Sequence, residues 1–224
     1  HIFKYGTNMK FSIDFKKFGF AKEKKIYLEN DGNLAAYSEY LSHFKNDYKN
    51  LIMLTFGTGV GGGIIYNSEI FKGSGNAGEI GRILINKKSY LEDVISAKAW
   101  TKKCQELYEI NKETKLSNIF YEEKIGSLLF DRSIDLEDYE KYARDEIIQN
   151  TSNALISLFE LFDNDIFVIG GSMTKSPYDF LPLLDEYISK NFEFPNRNFP
   201  KIKLSKARED SGMLGAALLA LNSE

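Results

Sequence analysis

The chain has 224 residues, of which 43% are hydrophobic and 27% charged. That is enough apolar side chain to bury a core, and it excludes global disorder. Lys and Arg number 29 against 32 Asp and Glu, a net charge of −3 that argues against a protein built to coat a phosphate backbone.

Cys104 is the single cysteine. It excludes an internal disulfide and any zinc site with two thiolates, so no structural zinc is expected. The usage fits a reducing, cytoplasmic compartment. No apolar run is long enough for a membrane helix, and residues 1–15 lack the order of a signal peptide. Met9 is the first methionine, and the sequence is expected to be a piece of a longer protein.

In chain order, residues 26–28 (Ile-Tyr-Leu) read as a short buried strand ending at Glu29-Asn30-Asp31-Gly32. A helix is expected from Asn33 to about Phe44, with Leu34, Tyr37, Leu41 and Phe44 at helical spacing. Residues 51–56 read as a second buried strand, followed by glycines at 57, 59, 61, 62 and 63. Ile64-Ile65-Tyr66 resumes an extended pattern, Asn67-Ser68 marks a turn, and Glu69-Ile70-Phe71 marks the returning strand. A second Gly-rich stretch carries Gly73, Gly75 and Gly78, and Ile80 to Ile85 is another apolar run. Ser96 is expected to cap a helix with Ala97, Trp100, Cys104 and Leu107 on one face. Asp135 is expected to cap a long helix ending near Phe162. Ile166–Ile169 reads as a buried strand with Gly170-Gly171-Ser172 at its exit. A helix from about Tyr178 to Phe192, a strand at Ile202–Leu204 and a small-residue helix from Gly212 to Leu221 complete an α/β order.

Gly57-Thr58-Gly59-Val60-Gly61-Gly62 satisfies G-x-G-x-x-G. A dinucleotide fingerprint needs a helix directly after the loop, and here an extended segment follows; a Walker A loop would need a Gly-Lys-Ser/Thr that is missing. The glycines instead suit a phosphate loop inside a β-hairpin, where bare backbone approaches an anion and Thr58 adds a hydroxyl. The plainer reading is a tight hairpin without ligand. Asp31, between a strand and a helix, is either a catalytic carboxylate or the helix N-cap. Glu79 and Glu92, taken alone, read as solvated acids.

Taken together, Glu29-Asn30-Asp31-Gly32-Asn33, Gly57-Thr58-Gly59-Val60-Gly61-Gly62-Gly63, Gly78-Glu79-Ile80-Gly81 and Val168-Ile169-Gly170-Gly171-Ser172 resemble the ROK family of sugar kinases and related repressors, within the actin/hexokinase/Hsp70 ATPase superfamily. The resemblance implies an RNase H-like α/β domain with a mixed sheet flanked by helices. Residues 1–48 would then be a remnant of an N-terminal lobe and 49–224 the C-terminal lobe, with the last helix returning to the first lobe. It further implies Asp31 as general base and Asn30, Glu79 and Glu92 as sugar ligands. Gly57, Thr58 and Gly59 would bind nucleotide phosphate, with Gly170 and Gly171 near the nucleotide. The substrates it implies are a hexose-type sugar and ATP with Mg²⁺, and the family is commonly homodimeric.

Three departures stand out. The family's Asp-x-Gly-Gly-Thr phosphate motif, expected well upstream of Asp31, is not in the chain, so the chain alone is expected to be inactive. Arg82 stands where His is frequent; it either pairs with Glu79 or Glu92, selects an anionic substrate, or faces solvent. Asn86-Lys87-Lys88-Ser89-Tyr90 replaces a Cys-rich zinc segment. The expected function is ATP-dependent sugar phosphorylation. The alternatives are the sugar-sensing domain of a ROK-type repressor, which would touch nucleic acid only through an N-terminal helix-turn-helix, and a non-catalytic homologue.

Overall fold

The computed structural model describes residues 2–3, 13–14, 25–171, 180–206 and 210–222. Strands β1 (Ile2–Phe3) and β2 (Ile13–Asp14) form a separate antiparallel pair. The main sheet has five strands: β3 (Leu51–Phe56), β4 (Val60–Tyr66), β5 (Glu69–Ile70), β6 (Ile166–Gly171) and β7 (Lys201–Leu204), in the order β5-β4-β3-β6-β7. β4 and β5 continue from β3 as an antiparallel meander, whereas β6 and β7 run parallel to β3.

This mixed sheet is covered on both faces, which explains why β3 and β6 read as unbroken apolar runs. Ile52, Leu54, Phe56, Phe167 and Ile169 point into the larger core cluster. Leu51, Met53, Ile166 and Val168 point into a smaller one beneath helix α1 (Asp31–Glu39) and the π-helical turn Tyr40–Phe44 that continues it. The larger cluster is closed by α2 (Glu92–Ile95), α3 (Ala97–Ile110), α4 (Lys115–Glu123), a 3-10 segment (Gly126–Phe130), α5 (Asp138–Phe162) and α6 (Phe180–Asn191). Trp100 sits at its centre, with ring centroids 4.6 Å from Phe130 and 4.9 Å from Phe180.

Close backbone contact places α1. A Cβ on Gly63 would lie 2.4 Å from the Gly32 carbonyl oxygen, and one on Gly215 would lie 2.0 Å from that of Leu34. Only hydrogen at these positions lets α1 lie flat on β4 and α7 (Ser211–Asn222) lie flat on α1.

Several expectations need correction. Residues 25–30 form no strand, and Tyr27 and Leu28 are exposed. No described strand pairs with this segment, and without a ladder partner an apolar triplet has nothing to hold it extended. The long helix α5 is capped by Glu137, not Asp135, in a reciprocal box with Glu140. Ile83, Leu84 and Ile85 are exposed, and the apolar run from Ile80 makes only one 3-10 turn before a bridge between Leu84 and Tyr90. Asn67 and Ser68 turn as expected, at φ 51° and 70°, the paired positive angles of a two-residue hairpin loop. Ser172 and Tyr178 lie outside the described residues.

Candidate functional site

The C-terminal end of β3, the N-terminal end of α1, and the loops after β5 and β7 surround a cleft of about 1400 Å³. Strand-exit loops collect there because β3 and β6 run parallel, the arrangement in which open α/β sheets form their ligand crevices. Asn30, Asp31, Gly57, Thr58, Gly59, Glu79, Arg82, Glu92 and Gly171 all line this cleft.

At the start of α1 the cap is Asn30, whose side-chain oxygen accepts from the amides of Gly32 at 2.8 Å and Asn33 at 3.2 Å. Asp31 is therefore the first helical residue and not the N-cap. One of its oxygens accepts from Gly32 N at 2.9 Å, and the side chain is otherwise exposed to the cleft. Asn30 Nδ2 reaches Glu79 Oε1 at 3.4 Å, joining two expected sugar ligands that lie 49 residues apart. Behind them stands Glu29, which accepts from Asn33 Nδ2 at 2.9 Å and from Asn30 N at 3.0 Å, and pairs with Lys72 Nζ at 2.7 Å. Burial pushes the Glu29 pKa up, but hydrogen bonds from Lys72, Asn33 and the Asn30 amide outweigh it and hold the carboxyl below its usual value.

The β3–β4 hairpin is closed by Gly57-Thr58-Gly59, with Phe56 paired to Val60 across it. Gly57 N donates to Gly59 O at 3.0 Å, and the Gly57 carbonyl accepts from Ala97 N, at the start of α3, at 2.9 Å. Thr58 is exposed, and among the described residues its hydroxyl has no partner. A Cβ on Gly57 would meet nothing within 4 Å, so the loop faces open space. What the loop offers a phosphate is the open Thr58 hydroxyl beside the uncovered Cα of Gly57, the Gly57 amide being engaged within the turn. A strand follows the loop, which rules out the dinucleotide fingerprint.

Glu92, at the start of α2, lies against this loop: a Cβ on Gly59 would sit 2.6 Å from its Oε2. Its Oε1 is 3.7 Å from Arg82 Nη1, and the Arg82 guanidinium stacks 4.0 Å above the Tyr90 ring. Arg82 thus pairs with Glu92, one of the outcomes left open above, and not with Glu79. Gly170 is the one expected site residue that does not border the cleft. It is buried in β6, where a Cβ would lie 2.6 Å from Met53 Cε, so it serves packing beneath the site. Sequence reasoning passed over Glu29, Asn33, Lys72 and Tyr90. The signal available for the first two was an Asx cap flanked by amide and acid; Lys72 and Tyr90 come into place only through the fold. Cys104 is a core thiol, 1% exposed, and burial pushes its pKa up to about 12.

The model of the ROK family matches residues 12–223. The glucokinase of Halalkalibacterium halodurans is 26% identical over 215 residues, 89% of this chain and 64% of its own length. Among solved structures, a ROK family glucokinase from Streptomyces griseus in complex with glucose and AMPPNP aligns with a TM-score of 0.75 at 22% identity, over 87% of this chain and 68% of that one. A ROK family transcriptional regulator, a homologue of the E. coli MLC protein, aligns with a TM-score of 0.71 at 21% identity, over 86% of this chain and 51% of that one. The chain spans less than two thirds of the length of the curated relatives it matches. The fold is the RNase H-like, actin-like ATPase α/β fold, and the chain belongs to the ROK family.

Proposed function

We propose that this chain is the larger part of an ATP-dependent kinase for a hexose-type sugar. The observation that carries the reading is a single cleft in which the exposed Asp31 carboxylate and the open Gly57–Gly59 loop share a border with Asn30, Glu79 and Glu92. Carboxylates and a side-chain amide accept well from sugar hydroxyls. A sugar hydroxyl is a poor nucleophile until a base takes its proton, and Asp31 is the acid free to do so. ATP supplies the phosphoryl group, with Mg²⁺ neutralising charge on its phosphates. Thr58 and the neighbouring loop amides would donate to those phosphates. Magnesium at such sites is held by one or two carboxylates and the phosphates themselves, and with Asp31 serving as base, Asp210 is a further acid on the border of the cleft.

The test is sugar-dependent release of ADP from Mg·ATP by the full-length protein, beside Asp31→Asn. The substitution should lower kcat by at least about a hundredfold with a much smaller change in KM for the sugar, since the amide still hydrogen-bonds. A kcat within about tenfold of the parent removes Asp31 from the role of base. Sugar binding without any turnover points to the sugar-sensing reading, as in a repressor.

A further inference from the structure

Strand β7 is the last in the order β5-β4-β3-β6-β7, so one of its edges has no ladder partner among the described residues. Ser205 N donates to Ile169 O at 2.8 Å, with Leu204 beside Ile169 in the register. Backbone groups alternate between the two sides of a strand, so Lys203 and Lys201 also turn theirs to β6. Ile202 and Leu204 then present their N–H and C=O groups at the open edge. Side chains alternate between faces as well. Ile202 is buried in the larger core cluster, whereas Lys203 Nζ stands over the rings of Phe44 and Tyr48, at 5.7 and 6.0 Å, on the side of the smaller one. Lys201 shares the face of Lys203, and both are exposed, with no carboxylate in ion-pair reach among the described residues. On the opposite face, along Ile202, a groove of about 670 Å³ is lined by Phe192, Phe194 and Phe199, and it shares no lining residue with the cleft that Asp31 borders.

An open strand edge takes another strand, and its two faces decide which one. A second copy of β7 is disfavoured, because pairing would set its lysines against these. Lysines two residues apart on a strand match carboxylates at alternate positions of an extended segment, roughly 7 Å apart. The residue between those carboxylates would point to the other face, where the half-buried phenylalanine rings line the groove. Asp185 and Glu193 line that groove too, so an apolar side chain suits it and an acidic one does not. We propose that the β7 edge is a docking site for an extended acidic segment of a partner protein, which sets acidic residues at alternate positions over Lys201 and Lys203 and an apolar residue between them in the phenylalanine groove. The backbone groups of Ile202 and Leu204 complete the ladder. The site does not depend on the kinase reading of the cleft.

The probe is a fluorescein-labelled peptide, Gly-Glu-Val-Glu-Val-Glu-Gly-amide, titrated with the full-length protein by fluorescence anisotropy. Beside it run a block peptide of the same composition, Gly-Glu-Glu-Glu-Val-Val-Gly-amide, and two versions of the alternating peptide N-methylated at the valines or at the glutamates. The alternating peptide should bind at least about tenfold tighter than the block peptide. N-methylation in one of the two frames should bring it down to the level of the block peptide, because it removes donors to β7 without altering charge. Lys201→Glu combined with Lys203→Glu should weaken the alternating peptide by about tenfold, and the N-methylated peptides test the same contact on unaltered protein. Equal affinity for the alternating and block peptides, or affinity untouched by N-methylation in both frames, overturns the strand addition and leaves charge attraction alone. Failure of every peptide to bind overturns the site. A dimer in sedimentation that the double lysine variant disrupts makes a second copy the occupant, and overturns the proposal as well.

Discussion

Glu29 fixes the corner on which the site is built. Through Asn33 and the Asn30 amide it holds the first turn of α1, and through Lys72 it ties that turn to the loop leading to Glu79. Its carboxyl titrates below the ordinary value of 4.5 in the folded protein. A depressed folded pKa means stability that is present above the unfolded pKa and lost as pH falls through the folded one. Urea midpoints measured at neutral pH and at pH below 4.5 should therefore diverge less in Glu29→Gln than in the parent. The pH-dependent part amounts to about 1 kcal/mol or less, because Lys72 is half exposed and the pair is screened. An identical pH dependence in the two proteins would show that Glu29 is not the titrating strut. At this scale the sequence was informative about chemistry and weaker about partners. Asp31, Glu79 and Thr58 could be picked out as residue types in Gly-rich or helix-start contexts. That Asn30 and not Asp31 caps α1 depends on which side chain faces the Gly32 and Asn33 amides, and only backbone geometry decides that.

Among the elements, α3 links the phosphate loop to the core. Its cap, Ser96, accepts from Ala99 N at 3.1 Å, and the next amide, Ala97 N, holds the Gly57 carbonyl. Trp100, Cys104 and Leu107 then anchor the helix on one face. Ser96→Ala should lower stability by about 1 kcal/mol in urea unfolding. An unchanged urea midpoint would mean that the cap does not contribute. The register of this helix was readable because a cap residue precedes a clean i, i+3, i+4 apolar stripe. Strand β3 was readable from its apolar run and the glycines beyond it, as was β6. By contrast α4 carries only nine residues, with Leu116, Ser117 and Phe120 as its buried face, too short a pattern to stand out from its polar surroundings. The run 80–85 failed for another reason. Ile80 is buried while Ile83 to Ile85 are not, so hydrophobicity there reflects a local turn and a two-residue bridge and not a core strand.

For the molecule as a whole, the larger core cluster runs from the sheet through α3 and α5 to α6 without a break, and Cys104 lies within it. Its Sγ points at the Gly126 carbonyl at 3.7 Å, on the 3-10 segment that closes the core over α3. Burial first, and the nearby Glu140 carboxylate second, push the thiol pKa up to about 12. Only about one thiol in ten thousand is then thiolate at pH 8, and that fraction is shielded from reagent as well. As the only cysteine, it reports on a single place in the core. Labelling at pH 8 with a chromogenic disulfide should be slower in the native protein than in the urea-unfolded chain by at least about a thousandfold. If the core opens as one cooperative unit, the labelling rate across a urea series should rise in step with the unfolded fraction measured by Trp100 fluorescence, because Trp100 occupies the same cluster. Labelling that runs ahead of the fluorescence change would mean that α3 and the Gly126–Phe130 segment separate first. Complete labelling of the native protein within minutes would contradict the buried placement of the thiol itself.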